Sequence, residues 1–367
     1  MDNQYQVMLI QIHTIYDLIY YKIDGYIYDN SFLIPTSSYI HYNMRVIIFS
    51  HESDVDGLFS AAIGLIRYPQ ARTIFLGYGI ENFNKMGDFV YSAVSPNKEG
   101  GIFIISDLGL NDNLIDTCKN IFSSAKKNGW QTIWVDHHLW SQEAIDALTP
   151  SVGLIINSSG QKCAADLMYE TFLPGNDIAA KLASIAHTTD FFTKDQYLTP
   201  ISELIRYYHN FSNVYDRLSD LAQKTAKGIL WDIEMQSQYD KYVLLRDSAK
   251  QRVLSTMHTR QLKDIKVVFI QSSPFIQTSL FSEEVFQKTQ ADLAMFYSTE
   301  GKVSIRRNNE KIACSDISAN LYEGGGHKFA AGAILRSNPA DIESVIHELE
   351  IAILAALDKD KKPKPAS

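Results

Sequence analysis

The chain has 367 residues, of which 46% are hydrophobic and 21% are charged, the composition of a globular protein long enough for two domains. The formal net charge of −8 argues against a broad basic surface for long duplex nucleic acid, although bound metal ions could still attract a small anionic substrate. The three cysteines form no CxxC pair, which argues against a zinc–thiolate site and fits a reducing compartment. No apolar run reaches the ~18 residues of a membrane span, so we expect a cytoplasmic protein without membrane contact.

Residues 1–43 carry no motif that we connect with chemistry. They lack the basic region and the small-residue cleavage site of a signal peptide. Met44 directly precedes the apolar stretch that opens a regular pattern. The first 43 residues are therefore either an upstream extension of the natural protein or an N-terminal hairpin or helix, and both alternatives stay open.

From residue 45 onward, short β-branched or aromatic runs alternate with helical stretches. The expected strands are 45–49, 73–79, 101–107, 132–136 and 153–157, and the helical stretches between them include 57–68, 112–128 and 163–173. Apolar strands of about five residues separated by helices predict an α/β domain with a parallel sheet covered on both faces. In such a sheet the ligand site lies outside the carboxyl ends of the strands.

Acidic and imidazole side chains stand where these strands end. They are His51, Asp54 and Asp56 in SHESDVDG, Asp107 in IISD, Asp136, His137 and His138 in VDHH, and, after a later helical stretch, Asp190 in AHTTD. So many like charges in one pocket would repel one another unless cations held them. Oxygen and imidazole ligands without thiolate suit Mn²⁺, Mg²⁺ and related ions. The number of carboxylates indicates two metal ions, which together can clamp the oxygens of a phosphoryl displacement.

The second half of the chain predicts a different kind of site. Residues 195–260 have a helical pattern, and strands are expected at 265–271, 291–298 and 302–307. Three glycines, Gly324, Gly325 and Gly326, would allow positive φ angles and bring backbone N–H groups against an anion, with His327 as a further donor. Arg306 can fork onto phosphate oxygens, whereas Arg307 alternates to the other face as a surface charge.

These motifs resemble those of the DHH phosphoesterase superfamily. The VDHH, SHESDVDG, ISD and TTD motifs match its catalytic domain, and ISANLYEGGGHKFAAGAIL resembles the associated C-terminal domain with its GGGH motif. The resemblance spans about 45 to 355. It implies a parallel-sheet catalytic domain at 44–194, a helical linker at 195–260, and a smaller α/β domain with a mixed sheet at 261–357. A disordered basic tail follows at 358–367.

The resemblance also implies a role for each site residue. His51, Asp54 and Asp107 would hold one metal ion, and Asp56, Asp107, His137 and Asp190 would hold the second, with Asp107 bridging. Asp136 would orient an imidazole, and His138 would lie close to the substrate phosphate. His51 precedes Asp54 by three residues where related motifs have two or four, so Glu52 is the alternative at that position. Mn²⁺ is the expected ion, with Mg²⁺ and Co²⁺ as alternatives.

Within the superfamily, a compact chain with a GGGH domain is similar to enzymes that act on short oligonucleotides, on linear dinucleotides or on 3′-phosphoadenosine 5′-phosphate, as nanoRNases do. A RecJ-like exonuclease specific for single strands is the main alternative. A non-catalytic nucleic-acid-binding scaffold is the third, and the nearly complete ligand set argues against it. The partners would be short single-stranded nucleic acid or a nucleotide, and a homodimer is compatible with the sequence. RNA or DNA preference and the polarity of cleavage stay open.

Overall fold

The computed structural model describes residues 45–94, 100–158, 160–191 and 199–359. The expectations for residues 1–43 and for residues 360–367 of the tail lie outside these ranges. The chain divides into two compact units, the first ending at Trp231 and the second beginning at Asp232. In the described part of the chain, no helix combines the length and the hydrophobicity needed to cross a membrane.

The first unit is built on a five-stranded parallel sheet. Its strands are β1 (Arg45–His51), β2 (Arg72–Leu76), β3 (Gly101–Ser106), β4 (Gln131–Asp136) and β5 (Leu154–Asn157). Their order across the sheet is β2-β1-β3-β4-β5, so the chain reverses its direction of winding between β1 and β3. The carboxyl end of the sheet at such a switch point is where ligands bind in open α/β folds.

Helices cover both faces of this sheet. They are α1 (Val55–Arg67), α2 (Ile80–Ala93), α3 (Ile115–Lys127), α4 (Gln142–Leu148), α5 (Ala164–Phe172), α6 (Asp177–Asp190), α7 (Thr199–Tyr208) and α8 (Val214–Ala226). Phe49 and Trp134 face α2, α3 and α4 in one buried cluster, whereas α1 packs with α5, α6 and α8 on the other face. The strands are apolar on both sides because both sides are covered.

The second unit contains a six-stranded mixed sheet with the order β10-β11-β9-β8-β7-β6. The strands are β6 (His258–Leu262), β7 (Ile265–Gln271), β8 (Leu293–Tyr297), β9 (Lys302–Arg307), β10 (Tyr322–Gly326) and β11 (Ala330–Ile334). Only the β7–β8 pair is parallel among them. The expected α/β architecture, a parallel-sheet domain followed by a mixed-sheet domain, is confirmed.

The helices of the second unit bury the two faces of its sheet. They are α9 (Ile233–Thr256), α10 (Thr278–Thr289), α11 (Cys314–Ser318) and α12 (Ile342–Lys359). One core lies under α11 and α12, and the other under α9 and α10. The residues for which the sequence predicts a helical linker are thus divided between the units: α7 and α8 belong to the first and α9 to the second.

Candidate metal centre

The loop after β1 is folded tightly around Asp54. Asp54 caps the N-terminus of α1 by accepting a hydrogen bond from the Gly57 N–H at 2.9 Å, which is the usual N-cap hydrogen bond of an aspartate. The other oxygen of Asp54 lies 2.7 Å from Nδ1 of His51. A Cβ atom at Gly57 would stand 2.2 Å from the His51 carbonyl oxygen, so only glycine fits there. The helix cap therefore also sets the position of His51.

Asp56 lies in the first turn of α1 and is almost completely buried. Its two oxygens accept hydrogen bonds from the backbone N–H groups of Ala164 and Ala165 at 2.8 and 2.7 Å. These amides open α5, where the partial positive charge of a helix N-terminus favours an anion. Burial, followed by the charge of Asp54, nevertheless raises the pKa of Asp56 to about 7. The carboxylate is thus held in place by two backbone amides in a buried position that disfavours its ionised form.

Asp107 directly follows β3 and has a left-handed backbone conformation, with φ of 54°. Such a conformation in a residue other than glycine is uncommon, although Asp and Asn tolerate it best. The side chain is buried, and its Oδ2 atom has no hydrogen-bond partner. Burial and the charges of Asp54, Asp56 and Asp136 raise the pKa of Asp107 well above its usual value. A buried, unpartnered carboxylate oxygen is the kind of atom that a bound cation satisfies.

The two oxygens of Asp107 face two different histidines. Oδ2 lies 3.7 Å from His51 Nδ1, and Oδ1 lies 3.3 Å from His137 Nε2. The same His137 nitrogen lies 3.6 Å from Asp56, while its other ring nitrogen lies 3.7 Å from Asp190 at the end of α6. Burial lowers the pKa of His137, which favours the neutral imidazole that metals bind.

Among the described residues, four groups of candidate ligand atoms lie within 4.8 Å of one another. Two of them contain the residues predicted to bind metal: His51, Asp54 and Asp107 form one, and Asp56, His137 and Asp190 form the other, with Asp107 3.3 Å from His137. The third joins Asp107, His137 and His138, and the fourth joins Cys163, Asp166 and His187. The donors of the first two groups are carboxylate oxygens and imidazole nitrogens, which suit hard or borderline divalent ions. The structure brings together all six residues for which the sequence predicts metal binding. Glu52, the alternative to His51, is in none of the four groups.

Asp136 and His138 form a pair next to these groups, and His138 also belongs to the group with Asp107 and His137. Fully buried Asp136 accepts hydrogen bonds from the indole N–H of Trp140 at 2.8 Å and from the backbone N–H of His138 at 3.2 Å, and its Oδ1 lies 2.8 Å from His138 Nδ1. Burial alone would lower the pKa of His138, but the hydrogen bond and charge of Asp136 outweigh it and raise that pKa. Asp136 thus orients an imidazole as expected, and the imidazole is that of His138.

Tyr78 is a contact residue that the sequence pattern did not indicate. Its hydroxyl lies 3.2 Å from Nε2 of His138, and its ring lies 4.3 Å from the His51 ring between centroids. The sequence pattern assigns residues 73–79 to one strand, but β2 ends at Leu76 and Gly79 has φ of 91°. The glycines on both sides of Tyr78 were the available signal for a loop at this point.

His187 makes a local hydrogen bond, the role that the sequence favours over metal binding. Its Nδ1 lies 2.6 Å from Asp166, and that carboxylate also accepts a hydrogen bond from the backbone N–H of Cys163. Asp166 therefore closes the first turn of α5 and joins it to α6. The contact holds the two helices that carry the partners of Asp56 and His137.

The glycine-rich segment of the second unit forms a β-hairpin from β10 and β11. Of the three consecutive glycines only Gly326 has a positive φ, so the backbone freedom expected of the run is used at one of its three positions. Gly324 is required by packing, because a Cβ atom there would stand 1.7 Å from the Ser318 carbonyl oxygen. Gly325 faces open space, because a Cβ atom added there would meet nothing within 4 Å among the described residues.

Arg306 projects from β9 onto a face of small residues. The strand register places it opposite Ala330, and places Ser304 opposite Gly332, which in turn pairs with Gly325. Directly opposite residues share a face of a sheet. Arg306 therefore lies on the same face as Ala330, Gly332 and Gly325, and we call the surface formed by these three small residues the floor. The guanidinium donates a hydrogen bond to the carbonyl of Ile305, and among the described residues no carboxylate pairs with it. Neighbouring Arg307 instead approaches Glu310 at 3.8 Å.

No family model matches the chain. No curated protein matches it either. Among solved structures, it aligns with an exopolyphosphatase-related protein from Bacteroides fragilis at 14% identity and a TM-score of 0.49, covering 85% of this chain and 93% of that one. RecJ in complex with Mg²⁺ from Thermus thermophilus aligns at 17% identity and a TM-score of 0.44, covering 88% of this chain and 50% of that one.

An uncharacterized protein from Helicobacter pylori aligns at 16% identity and a TM-score of 0.41, covering 84% of this chain and 99% of that one. In the chain itself, the acidic and histidine motifs converge at the switch point of a parallel sheet, and a mixed sheet carries the GGGH segment. With these features the chain resembles the DHH superfamily.

Proposed function

We propose that this chain is a phosphoesterase that uses two divalent metal ions, with Mn²⁺ the expected ion. The observation that carries the proposal is the placement of Asp107, whose two carboxylate oxygens face two separate groups of ligands, at 3.7 Å from His51 and 3.3 Å from His137. A carboxylate shared in this way can bridge two cations. Two bound ions would activate a water molecule and polarise the phosphoryl group that it attacks.

The residues of the chain supply positioning and a proton. Asp136 binds His138 through Nδ1, which leaves Nε2, 3.2 Å from the Tyr78 hydroxyl, as the nitrogen that would face a substrate. Because Asp136 raises the pKa of His138, the imidazole stays protonated to a higher pH than a free histidine. His138 can therefore donate the Nε2 proton to the oxygen that leaves when the phosphorus–oxygen bond breaks, which is general acid catalysis.

The proposed substrates are short single-stranded oligonucleotides, dinucleotides or 3′-phosphoadenosine 5′-phosphate. In support, Arg306 offers a half-buried guanidinium without a described acidic partner above a floor of small residues. Such a floor lets a phosphate approach closely, and a guanidinium can bind two of its oxygens at once. The alternative is a single-strand exonuclease of the RecJ kind, which would share the metal chemistry and differ in the length of substrate.

Incubation with Mn²⁺ and end-labelled RNA and DNA, from dinucleotides to thirty-mers, tests this proposal. We expect the highest kcat/KM on the shortest substrates. Preferential, stepwise degradation of long strands would favour the exonuclease alternative. Absence of hydrolysis with Mn²⁺, Mg²⁺ and Co²⁺ on every substrate, including 3′-phosphoadenosine 5′-phosphate, would overturn the phosphoesterase proposal. Metal analysis of the purified protein is the independent measurement, with two ions per chain expected.

A further inference from the structure

An exposed pair of aromatic rings stands at the turn of the β10–β11 hairpin. The His327 and Phe329 rings are nearly parallel, with an interplanar angle of 12° and centroids 5.5 Å apart. Phe329 is 63% exposed, the largest exposed fraction of any Phe, Tyr or Trp side chain among the described residues. Single exposed apolar residues need no explanation, but this ring belongs to an ordered pair beside charged groups.

The turn that carries the pair is anchored at both sides. The backbone N–H of His327 donates to the carbonyl of Ala330 at 2.7 Å, which closes a two-residue connection. The carbonyl of Lys328, at the tip of the turn, accepts a hydrogen bond from the backbone N–H of Cys314 at 2.8 Å. The exposure of Phe329 is therefore a property of a fixed backbone. A ring held in this way loses little conformational entropy when a flat ligand stacks on it.

Cationic groups lie next to the pair. Lys328 is exposed within the same turn, and Arg306 lies opposite Ala330 on β9. His327 lies on the other side of Ala330, to which its backbone is bonded. Neighbouring strands are about 5 Å apart, so the backbones of Arg306 and His327 are separated by about 10 Å across an alanine. A guanidinium on β9 and a pair of aromatic rings at the turn of the neighbouring β10–β11 hairpin thus combine the two kinds of group that bind the phosphate and the base of a nucleotide.

We propose that Phe329, with His327, forms a stacking platform for a nucleobase whose phosphate is held at Arg306. The inference rests on the proposed function and narrows it, because such a platform selects substrates that carry bases over inorganic polyphosphates. Aromatic rings combined with positive charge are the usual means of binding single strands without reading their sequence, since every base has a face that can stack. The platform therefore gives little preference among bases.

The test is equilibrium binding to the full-length protein in EDTA, which prevents hydrolysis. The probes are two fluorescein-labelled pentanucleotides with the same number of phosphates, one of deoxyadenosine and one in which every base is absent. We expect the wild type to bind the adenine-bearing probe more tightly. Phe329→Ala should weaken binding of that probe by roughly 5- to 150-fold, the range for loss of one aromatic–base stack, and leave binding of the abasic probe unchanged.

Two further variants control for effects of the substitution itself. Phe329→Trp keeps a ring and should retain preference for the adenine-bearing probe. Tyr91→Ala removes a comparably exposed aromatic ring from α2, far along the chain, and should change neither affinity. Equal weakening of both probes by Phe329→Ala, or no weakening of either, would overturn the stacking platform, as would equal binding of the two probes by the wild type.

The binding test of the stacking platform and the hydrolysis test of the proposed function can succeed or fail independently. If the platform is present but no phosphoester is hydrolysed with any metal, the stacking inference stands and the phosphoesterase proposal fails. If hydrolysis is observed and Phe329→Ala does not distinguish the two probes, the stacking inference alone fails.

Discussion

The candidate sites of the two units carry opposite charge. The carboxyl edge of the first sheet gathers Asp56 and Asp107 in a buried site, where burial and the charges of neighbouring carboxylates raise their pKa values. The second sheet exposes a floor of small residues to Arg306, a guanidinium without a carboxylate partner among the described residues. The first unit thus concentrates negative charge at its site, and the second presents positive charge.

The two sites are also held in different ways. In the first unit, a strained backbone at Asp107, a helix cap at Asp54 and two amides of α5 fix the carboxylates. In the second unit, the register between β9 and β11 is sufficient, because glycine and alanine leave the surface open. We therefore expect substitutions that replace single atoms to disturb the first site. At the second site, we expect only the loss of a whole side chain to have a comparable effect.

The largest effect is expected from Asp107→Asn. Asparagine keeps the shape of the side chain and tolerates a left-handed backbone. The substitution therefore removes the negative charge and changes the local structure little. We expect hydrolysis to fall by at least about 10²- to 10³-fold, as when one electrostatic group of a catalytic site is lost. The measurement is kcat/KM on a dinucleotide with Mn²⁺, with Asp116→Asn as the matched control, because Asp116 is an exposed residue of α3.

The same variant gives a readout that does not depend on activity. Because Asp107 is a buried carboxylate among like charges, its neutralisation should stabilise the metal-free protein while reducing the stabilisation by Mn²⁺ in thermal unfolding. If Asp107→Asn keeps both activity and the response to Mn²⁺ of the wild type, then Asp107 does not join two metal ions.

The second prediction concerns pH. The pKa of Asp56 is raised in the folded protein to about 7 from an ordinary value of 3.8, so between these values the folded state holds a proton that the unfolded state has lost. The associated stability is present below the ordinary pKa and is lost as the pH rises through about 7. We expect the Tm of the metal-free protein to fall between about pH 5 and about pH 7.

Mn²⁺ should reverse that trend, because metal ions compete with protons for these carboxylates and bind better as the pH rises. Differential scanning calorimetry with EDTA and with Mn²⁺ across this pH range checks both statements. A metal-free Tm that rises steadily over the same range would show that the acidic cluster does not dominate the pH dependence.

The third prediction compares two neighbouring arginines. Arg306→Ala should lower kcat/KM on a dinucleotide by about ten- to a hundredfold, the loss expected for a charge-assisted contact to an anion. Arg307→Ala is the matched control, because Arg307 lies near Glu310 and bonds to the Ile312 carbonyl. The small diester bis(p-nitrophenyl) phosphate, which has no second phosphate, should be hydrolysed almost as well by both variants. Equal losses on both substrates would assign Arg306 to the fold.

The smallest effect is expected from Tyr78→Phe. The change removes the hydroxyl 3.2 Å from His138 Nε2 and keeps the ring against His51. A single hydrogen bond contributes about 0.5–1.5 kcal/mol, so kcat should change by less than about tenfold, with a shift in its pH profile. Tyr78→Ala also removes the ring and should have the larger effect. Identical pH profiles for Tyr78→Phe and the wild type would contradict a link between Tyr78 and His138.

Much of the first unit follows from simple sequence rules. Apolar strands that alternate with helices predict the parallel sheet, and residues directly after β1, β3 and β4 must meet at one edge, so the gathering of Asp56, Asp107 and His137 needs no knowledge of distances. What the pattern does not contain is the orientation of each side chain. That Asp136 bonds to His138 and not to His137 depends on the turn after β4.

The second unit was less accessible to the same rules. β10 has the sequence YEGGG, which has little strand propensity, and it forms because β11 pairs with it. β6 (HTRQL) is equally polar and pairs with β7. Tyr78 was missed for a related reason: the apolar pattern of β2 continues through FLGYG although the strand ends at Leu76. For β6 and β10, pairing with the next strand of a hairpin, which their own composition does not encode, decides that they are strands.

The hydrogen bonds within the loop between β1 and α1 restrict how many residues this loop can contain. Ser50 donates to the carbonyl of Gly57 at 2.6 Å, Gly57 donates to Asp54, and Asp54 contacts His51. These contacts link both ends of the segment to its middle, so they fix the number of residues that it can contain. Insertion or deletion of one residue within 51–57 would move Asp54 and Asp56 out of register with Asp107, even if every side chain were retained. For this segment, spacing is as much a part of the site as residue identity.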